Sequence, residues 1–351
     1  MKKTILTIVL AVLAFGSLSA QAAQTGLIVG WGDNEYGQCN VGAPNSGFIA
    51  ISAGGWHSLG LKDDGSVAAW GSNSQGQCNV PDPNGFVAIA AGGEHSLGLK
   101  DDGTACAWGY NYYGQCNVPA PNTGFVAIAA GGYHSLGLKD DGSVATWGRN
   151  TEGQCDVPDP NGFIAIAAGH GHSLGLKDDS SVVAWGYNSA GQCNVPDPNG
   201  FVAIAVGVYH SLGLKDDGSV AAWGYNSVGQ CNVPAPNSGF VAIAASSNHS
   251  LGLKDDSTAC AWGDNSDGRC NVPSPNSGFV AIAGGYGHSL SLKVCQYGDI
   301  DDNCKVDLAD LGLICDQWLT TYFFSVVVDT AENWLIDCYA EPSNPACVPV
   351  E

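Results

Sequence analysis

Phe125-Val126-Ala127-Ile128-Ala129-Ala130-Gly131-Gly132-Tyr133-His134-Ser135-Leu136-Gly137-Leu138-Lys139-Asp140-Asp141-Gly142-Ser143-Val144-Ala145-Thr146-Trp147-Gly148 holds one complete structural unit. Residues 125–129 form a short apolar, β-branched run, the mark of a buried strand, A. Gly131-Gly132-Tyr133 is a turn. His134 to Lys139 alternates large and small side chains and reads as strand B. Asp141-Gly142 predicts a tight hairpin, because glycine accepts a positive φ at little cost. Ser143 to Trp147 reads as strand C. Arg149 to Pro160 then makes a long exit loop, with Pro158 and Pro160 blocking further pairing.

The unit recurs. Trp-Gly pairs begin at Trp31, Trp70, Trp108, Trp147, Trp185, Trp223 and Trp262, and His-Ser pairs at His57, His95, His134, His172, His210, His249 and His288, in steps of 38 or 39 residues. A three-stranded sheet of this size cannot bury both faces alone. Stacking such sheets around an axis buries them, and closing the ring removes the free edges. The ends of the region fit together: the first unit has only a strand C, Leu27 to Trp31, and the last has strands A and B, Phe279 to Lys293. The expected fold is all-β, a seven-bladed propeller with three-stranded blades over residues 24–294. A linear solenoid would leave both end sheets exposed. Gly137, Ala127 and Ala145 are expected to let neighbouring sheets approach, with Trp147 filling the wider outer gap. Ser180 and Ser257 replace the hairpin glycine in two units. Serine at positive φ costs about 1 kcal/mol, so another turn type is expected there.

The 351 residues carry a net charge of -21, and seven of the twelve basic residues are one recurring lysine: Lys62, Lys100, Lys139, Lys177, Lys215, Lys254 and Lys293. Without a basic patch, binding to nucleic acid is not expected. Lys2 and Lys3, the apolar run Ile5 to Phe15 and Ala20-Gln21-Ala22 read as a signal peptide over residues 1–22. The run is short for a bilayer span, so a secreted or cell-surface monomer with no membrane span after cleavage is expected.

With strands running up, down and up, the A–B turns and the exits from strand C share one end of the ring. Tyr133, Tyr209 and Tyr286 lie in A–B turns, Tyr36, Tyr110, Tyr112, Tyr113, Tyr187 and Tyr225 in exit loops, and Trp56 precedes His57. The same positions vary between otherwise near-identical units. Before the histidine stand Trp56, Glu94, Tyr133, Gly171, Tyr209, Asn248 and Gly287; after Trp-Gly stand Asp33, Ser72, Tyr110, Arg149, Tyr187, Tyr225 and Asp264. A constant frame with a varied, tyrosine-rich rim suits recognition of a protein or glycan partner, since tyrosine offers much contact area for little entropy.

Seven histidines at one height invite a metal reading. Neighbouring blades lie roughly 10 Å apart, whereas zinc ligands sit about 2 Å from a shared ion. A structural bond from each histidine to a neighbouring loop is expected instead. His170 and His172 form an isolated His-x-His. No recurring acid is placed to make a triad from the His-Ser pairs. Cys39, Cys78, Cys116, Cys155, Cys193, Cys231 and Cys270 close the exit-loop signature; equivalent points on adjacent blades exceed the ~7 Å reach of a disulfide, so buried free thiols are expected. Cys106 and Cys260 have no obvious partner.

Residues 131–154, with Gly-Gly-Tyr-His-Ser-Leu-Gly-Leu-Lys-Asp-Asp-Gly and Trp-Gly-x-Asn running to Gly-Gln, resemble the regulator of chromosome condensation (RCC1) repeat, and the resemblance spans residues 27–293. The compact unit is similar to the bacterial β-lactamase inhibitor protein II family, with its seven three-stranded blades and Val-Pro exit loop. In that family, aromatic residues before the histidine reach the bound enzyme; Trp56, Tyr133 and Tyr209 match that placement. The resemblance to the RCC1 founder implies chromatin binding and nucleotide exchange on a small GTPase, roles at odds with a signal peptide and an acidic surface; the varied rim points to binding rather than catalysis, and a secreted enzyme inhibitor is the alternative. A glycan-active propeller enzyme would need convergent acids or bases in the axial mouth, which the repeats do not supply.

Composition changes after Lys293. Asp299, Asp301, Asn303, Asp307 and Asp310 place side-chain oxygens at positions 1, 3, 5, 9 and 12 of a twelve-residue calcium loop, with the Lys305 carbonyl at position 7. Leu308 to Trp318 has helical spacing. The segment from Gly298 to Leu319 resembles one half of a type I dockerin, with Cys304 in place of the loop glycine. Residues 295–351 are therefore expected to form a small α-helical, Ca2+-binding unit with a cohesin-like partner, clamped by disulfides among Cys295, Cys304, Cys315, Cys338 and Cys347.

Overall fold

The computed structural model describes residues 25–294 apart from Pro83, Pro160 and Pro198. The expected signal peptide and the calcium-loop residues Asp299, Asp301, Asn303, Lys305, Asp307 and Asp310 lie outside the described residues. The described residues form seven antiparallel three-stranded sheets. In the unit quoted above, strand A is Phe125–Ala130, strand B His134–Lys139 and strand C Val144–Gly148. Blades are numbered here in chain order. Blade 1 begins at Phe48, and blade 7 combines Phe279–Gly284 and His288–Lys293 with Leu27–Gly32. The ring closes as its ends suggest: Leu27 pairs with Lys293, Gly30 with Leu290 and Gly32 with His288. No helix among the described residues is long and apolar enough to cross a membrane.

Strand B works through both of its faces. Leu212 and Leu214 turn toward the next blade and pack with its Phe240 and Trp262. Leu212 is fully buried, and each such leucine contributes about 1.5–3 kcal/mol. Gly213 lies on the other face, where a Cβ would come within 2.3 Å of the Phe201 ring of the same blade. A Cβ on Gly137 would likewise come within 2.4 Å of the Phe125 ring. The strand-B glycine therefore seats its own blade's phenylalanine, rather than letting a neighbouring sheet approach. Trp147 does fill the inter-blade gap, buried to 7% exposure, with its indole N–H donating to the Gln115 carbonyl of the preceding exit loop at 2.8 Å.

Two expectations need correction. Ser180 and Ser257 keep the glycine-type turn, at φ 66° and 64° against 78° at Gly142. The Lys177 and Lys254 carbonyls still accept the turn hydrogen bonds from Ser180 and Ser257, so the ladder holds the strained residue in place. The repeated histidines reach the next blade's strand B rather than a loop. His57 Nε2 meets Ser96 Oγ, and the series runs on through His95–Ser135, His134–Ser173, His172–Ser211, His210–Ser250 and His249–Ser289. His288–Ser58 then completes the circle, with every contact between 2.8 and 3.0 Å.

Candidate partner-binding face

The varied positions are held by one constant bond. In every blade the first exit-loop residue donates its backbone N–H to the carbonyl of the residue before a histidine: Ser72 to Trp56, Tyr110 to Glu94, Arg149 to Tyr133, Tyr187 to Gly171, Tyr225 to Tyr209, Asp264 to Asn248 and Asp33 to Gly287, at 2.8–2.9 Å. The backbone frame repeats while the paired side chains change. Each exit loop is stiffened internally. In one, Asn111 Oδ1 accepts from Cys116 N while its amide donates to Asn117.

The aromatic residues fall into three groups. Trp56 sits 5.9 Å from both Tyr36 and Tyr286, edge to face. Tyr110, Tyr112, Tyr113 and Tyr133 pack at 5.0–6.4 Å, and His170 extends this group from Tyr133 at 5.3 Å. Tyr209 lies between Tyr187 and Tyr225 at 6.0 and 6.2 Å. Together they make a crescent. It is interrupted in the sector of blade 6, where Asp264 and Asp267 stand at positions that carry tyrosine in other exit loops. Tyr112 is 78% exposed, Tyr36 51% and Tyr225 40%. Tyr286 is half-buried, and burial holds its hydroxyl well above the ordinary phenol value.

A cavity of about 260 Å³ opens on the axis at this end, lined largely by alanines at the ends of strands A and glycines of the A–B turns, with His170 and Tyr286 as its titratable side chains. Burial, with the Arg149 charge nearby, lowers the His170 pKa below the ordinary imidazole value. His170 and His172 part company: His170 lies over Gly132 beside Tyr133, and His172 joins the His–Ser belt. No group of metal-ligating side chains assembles among the described residues.

The belt is chemically closed. Each serine hydroxyl donates to a main-chain carbonyl of the preceding exit loop, Ser58 to Gln38 for example at 2.8 Å. Its one proton is thereby used, so the histidine must donate from Nε2. Nδ1 is left as a buried acceptor with no partner in six blades. In blade 6, Ser246 stands where other blades have glycine, and its hydroxyl lies 2.5 Å from His249 Nδ1. Burial drives the His57, His95, His134 and His172 pKa values down to about 3 and those of His210 and His288 to about 4. The exit-loop cysteines are half-buried rather than fully buried. Cys116 Sγ donates to the Tyr110 carbonyl at 3.3 Å, and burial raises its pKa to about 11.

Sequence reasoning overlooked Arg269, which replaces the glutamine of the other six exit loops and is 7% exposed. Its guanidinium bonds the Tyr286 carbonyl and pairs with Asp264 and Asp267, across the gap between blades 6 and 7. The break in Gly-Gln-Cys at Gly268-Arg269-Cys270 was the available signal.

These features define a class: a closed propeller of small, near-identical blades with one end of similar Asp-Gly-type hairpins and one varied, aromatic end. The chain belongs to the RCC1 (regulator of chromosome condensation) repeat family. The repeat matches residues 48–77, 86–115, 125–154, 163–192, 201–230 and 240–269, just over half of the chain. Among solved structures, it is similar to Prp20p of Saccharomyces cerevisiae, a protein examined for binding to Gsp1p and histones, with 19% identity over 84% of this chain and 95% of that one, TM-score 0.67. The ectodomain of the Arabidopsis thaliana receptor kinase ACR4 is 25% identical over 68% of this chain and 90% of that one, TM-score 0.57. The ectodomain of Physcomitrella patens CR4 is 26% identical over 67% and 66%, TM-score 0.56. No curated protein matches the chain.

Proposed function

We propose that this protein is an exported recognition module that binds a protein partner through its aromatic face and acts by binding rather than catalysis. The observation that carries this reading is the constant backbone bond joining two varied positions in each of the seven blades, all at one end of the ring. Selection for stability alone would not concentrate exposed aromatic rings at that end, because exposed tyrosines add little to the core. The yeast relative's binding of protein partners supports the general reading. The exit-loop residues Tyr36, Tyr110, Tyr112, Tyr113, Tyr187 and Tyr225 supply contact area, and Trp56, Tyr133, Tyr209 and Tyr286 anchor it from the A–B turns.

The test is affinity capture from envelope and secreted fractions with the whole protein. A Tyr112→Ala/Tyr113→Ala/Tyr209→Ala variant should lose the partner, while Asp101→Asn at the opposite end should keep it. Equal capture by both variants overturns the reading. We further propose that Asp299, Asp301, Asn303, Asp307, Asp310 and the Lys305 carbonyl hold Ca2+ and support docking to a cohesin-like partner. Chelation with EGTA should then abolish a second, separable set of interactions and leave capture by the aromatic face intact.

A further inference from the structure

We infer that Glu94 is a receptor for a cationic side chain, arginine above all, presented by the partner; this rests on the aromatic-face reading and specifies its chemistry. Glu94 is the one charged residue among the seven that precede a belt histidine. It is half-buried and makes no ion pair among the described residues. Its position joins two aromatic groups. On one side its carbonyl accepts from Tyr110 N at 2.9 Å, and Tyr110 lies 6.1 Å from the Tyr133 ring. On the other, the Tyr286 hydroxyl lies 3.2 Å from where a Cβ on Gly93 would stand, one residue before Glu94. Tyr286 in turn meets Trp56 at 5.9 Å.

A half-buried carboxylate on a turn flanked by two tyrosine-rich groups has the chemistry that receives guanidinium: bidentate hydrogen bonds from the carboxylate and cation–π contact from neighbouring rings. The protein already uses this affinity once, since the Arg149 guanidinium lies 5.8 Å above the Tyr113 ring in the same aromatic group. The chain supplies almost no cation of its own here. All seven described lysines end strand B at the opposite end, over phenylalanine rings. The two arginines of this face are engaged by Glu152 and by Asp264 and Asp267. A cation that pairs with Glu94 is therefore one that a partner brings.

The test uses a short acetylated Gly-Arg-Arg-Gly amide peptide and its citrulline counterpart, which keeps the shape and loses the charge. NMR titration of the full chain should shift Glu94, Tyr110, Tyr133 and Tyr286 with the arginine peptide only. Glu94→Gln should weaken that binding about 5- to 10-fold, and raised salt should weaken it further. Asp101→Asn should leave it unchanged. Equal binding of the citrulline peptide, shifts confined to the Asp-Gly hairpins, or wild-type affinity in Glu94→Gln would each overturn the inference. If the Tyr112/Tyr113/Tyr209 variant loses partner capture while Glu94→Gln changes nothing, the face stands and the cation receptor falls.

Discussion

A buried imidazole that cannot take a proton makes folding depend on pH. Six belt histidines have folded pKa values near 3 to 4, against 6.5 in an unfolded chain, and burial takes His249 well below that ordinary value too. Their pKa is depressed, so the unfolded state binds more protons below pH 6.5. Stability is fully present above that value and is lost as pH falls toward 4, by about 1.4 kcal/mol per histidine per pH unit. Urea denaturation between pH 6.5 and 5 should show a linkage slope approaching seven protons; a slope of two or fewer would mean that the belt is not neutral. Ser180 and Ser257 give a second test at this scale. Glycine at either position relieves the positive φ, and each change should raise stability by up to about 1 kcal/mol, read as a rise in Tm with unchanged capture of the partner.

At the scale of the element, the gaps between blades 3 and 4, 4 and 5, 5 and 6, 6 and 7, and 7 and 1 are each filled by two leucines against a phenylalanine and a tryptophan. Leu212→Ala should cost about 2–5 kcal/mol in chemical denaturation, because neighbouring blades cannot collapse into the space. The gap between blades 6 and 7 has Arg269 in addition. Arg269→Gln restores the residue of the other six exit loops, whose side-chain oxygen accepts a loop N–H as Gln38 and Gln115 do, and should be nearly neutral, whereas Arg269→Ala leaves a buried space with neither bond and should cost about 2–3 kcal/mol. Calorimetry on the pair separates the two outcomes. The strands themselves were legible, because Phe125 to Trp147 alternates with the right period and the Asp-Gly turns punctuate it. The role of Gly137 was not, since it depends on which ring lies across it, and that ring comes from Phe125 twelve residues earlier. The partner of His134 was equally hidden: Ser173 is 39 residues away, and only the rotation between blades brings the two together. The aromatic residues could be assigned to one end from chain direction alone. Their division into three groups, and the isolation of Glu94 between two of them, depends on how adjacent turns meet.

For the whole molecule, closure decides everything. Ile28 packs with Phe48, Leu290 and Leu292, and Trp31 fills the gap beside blade 6. Deleting residues 27–32 should leave strand B of blade 7 with an open edge, a template for pairing with a second copy. Light scattering should then show oligomers in place of a monomer, with a broadened unfolding transition. The register of the closing blade has a mechanical consequence as well. Leu27 and Lys293 face one another at the same end of their strands, so tension applied between them loads the ladder one rung at a time, as a zipper is opened. Forced extension is governed by such local rates rather than by total stability. With handles at residues 26 and 294, the ring should part at its seam under low force, before any other blade opens.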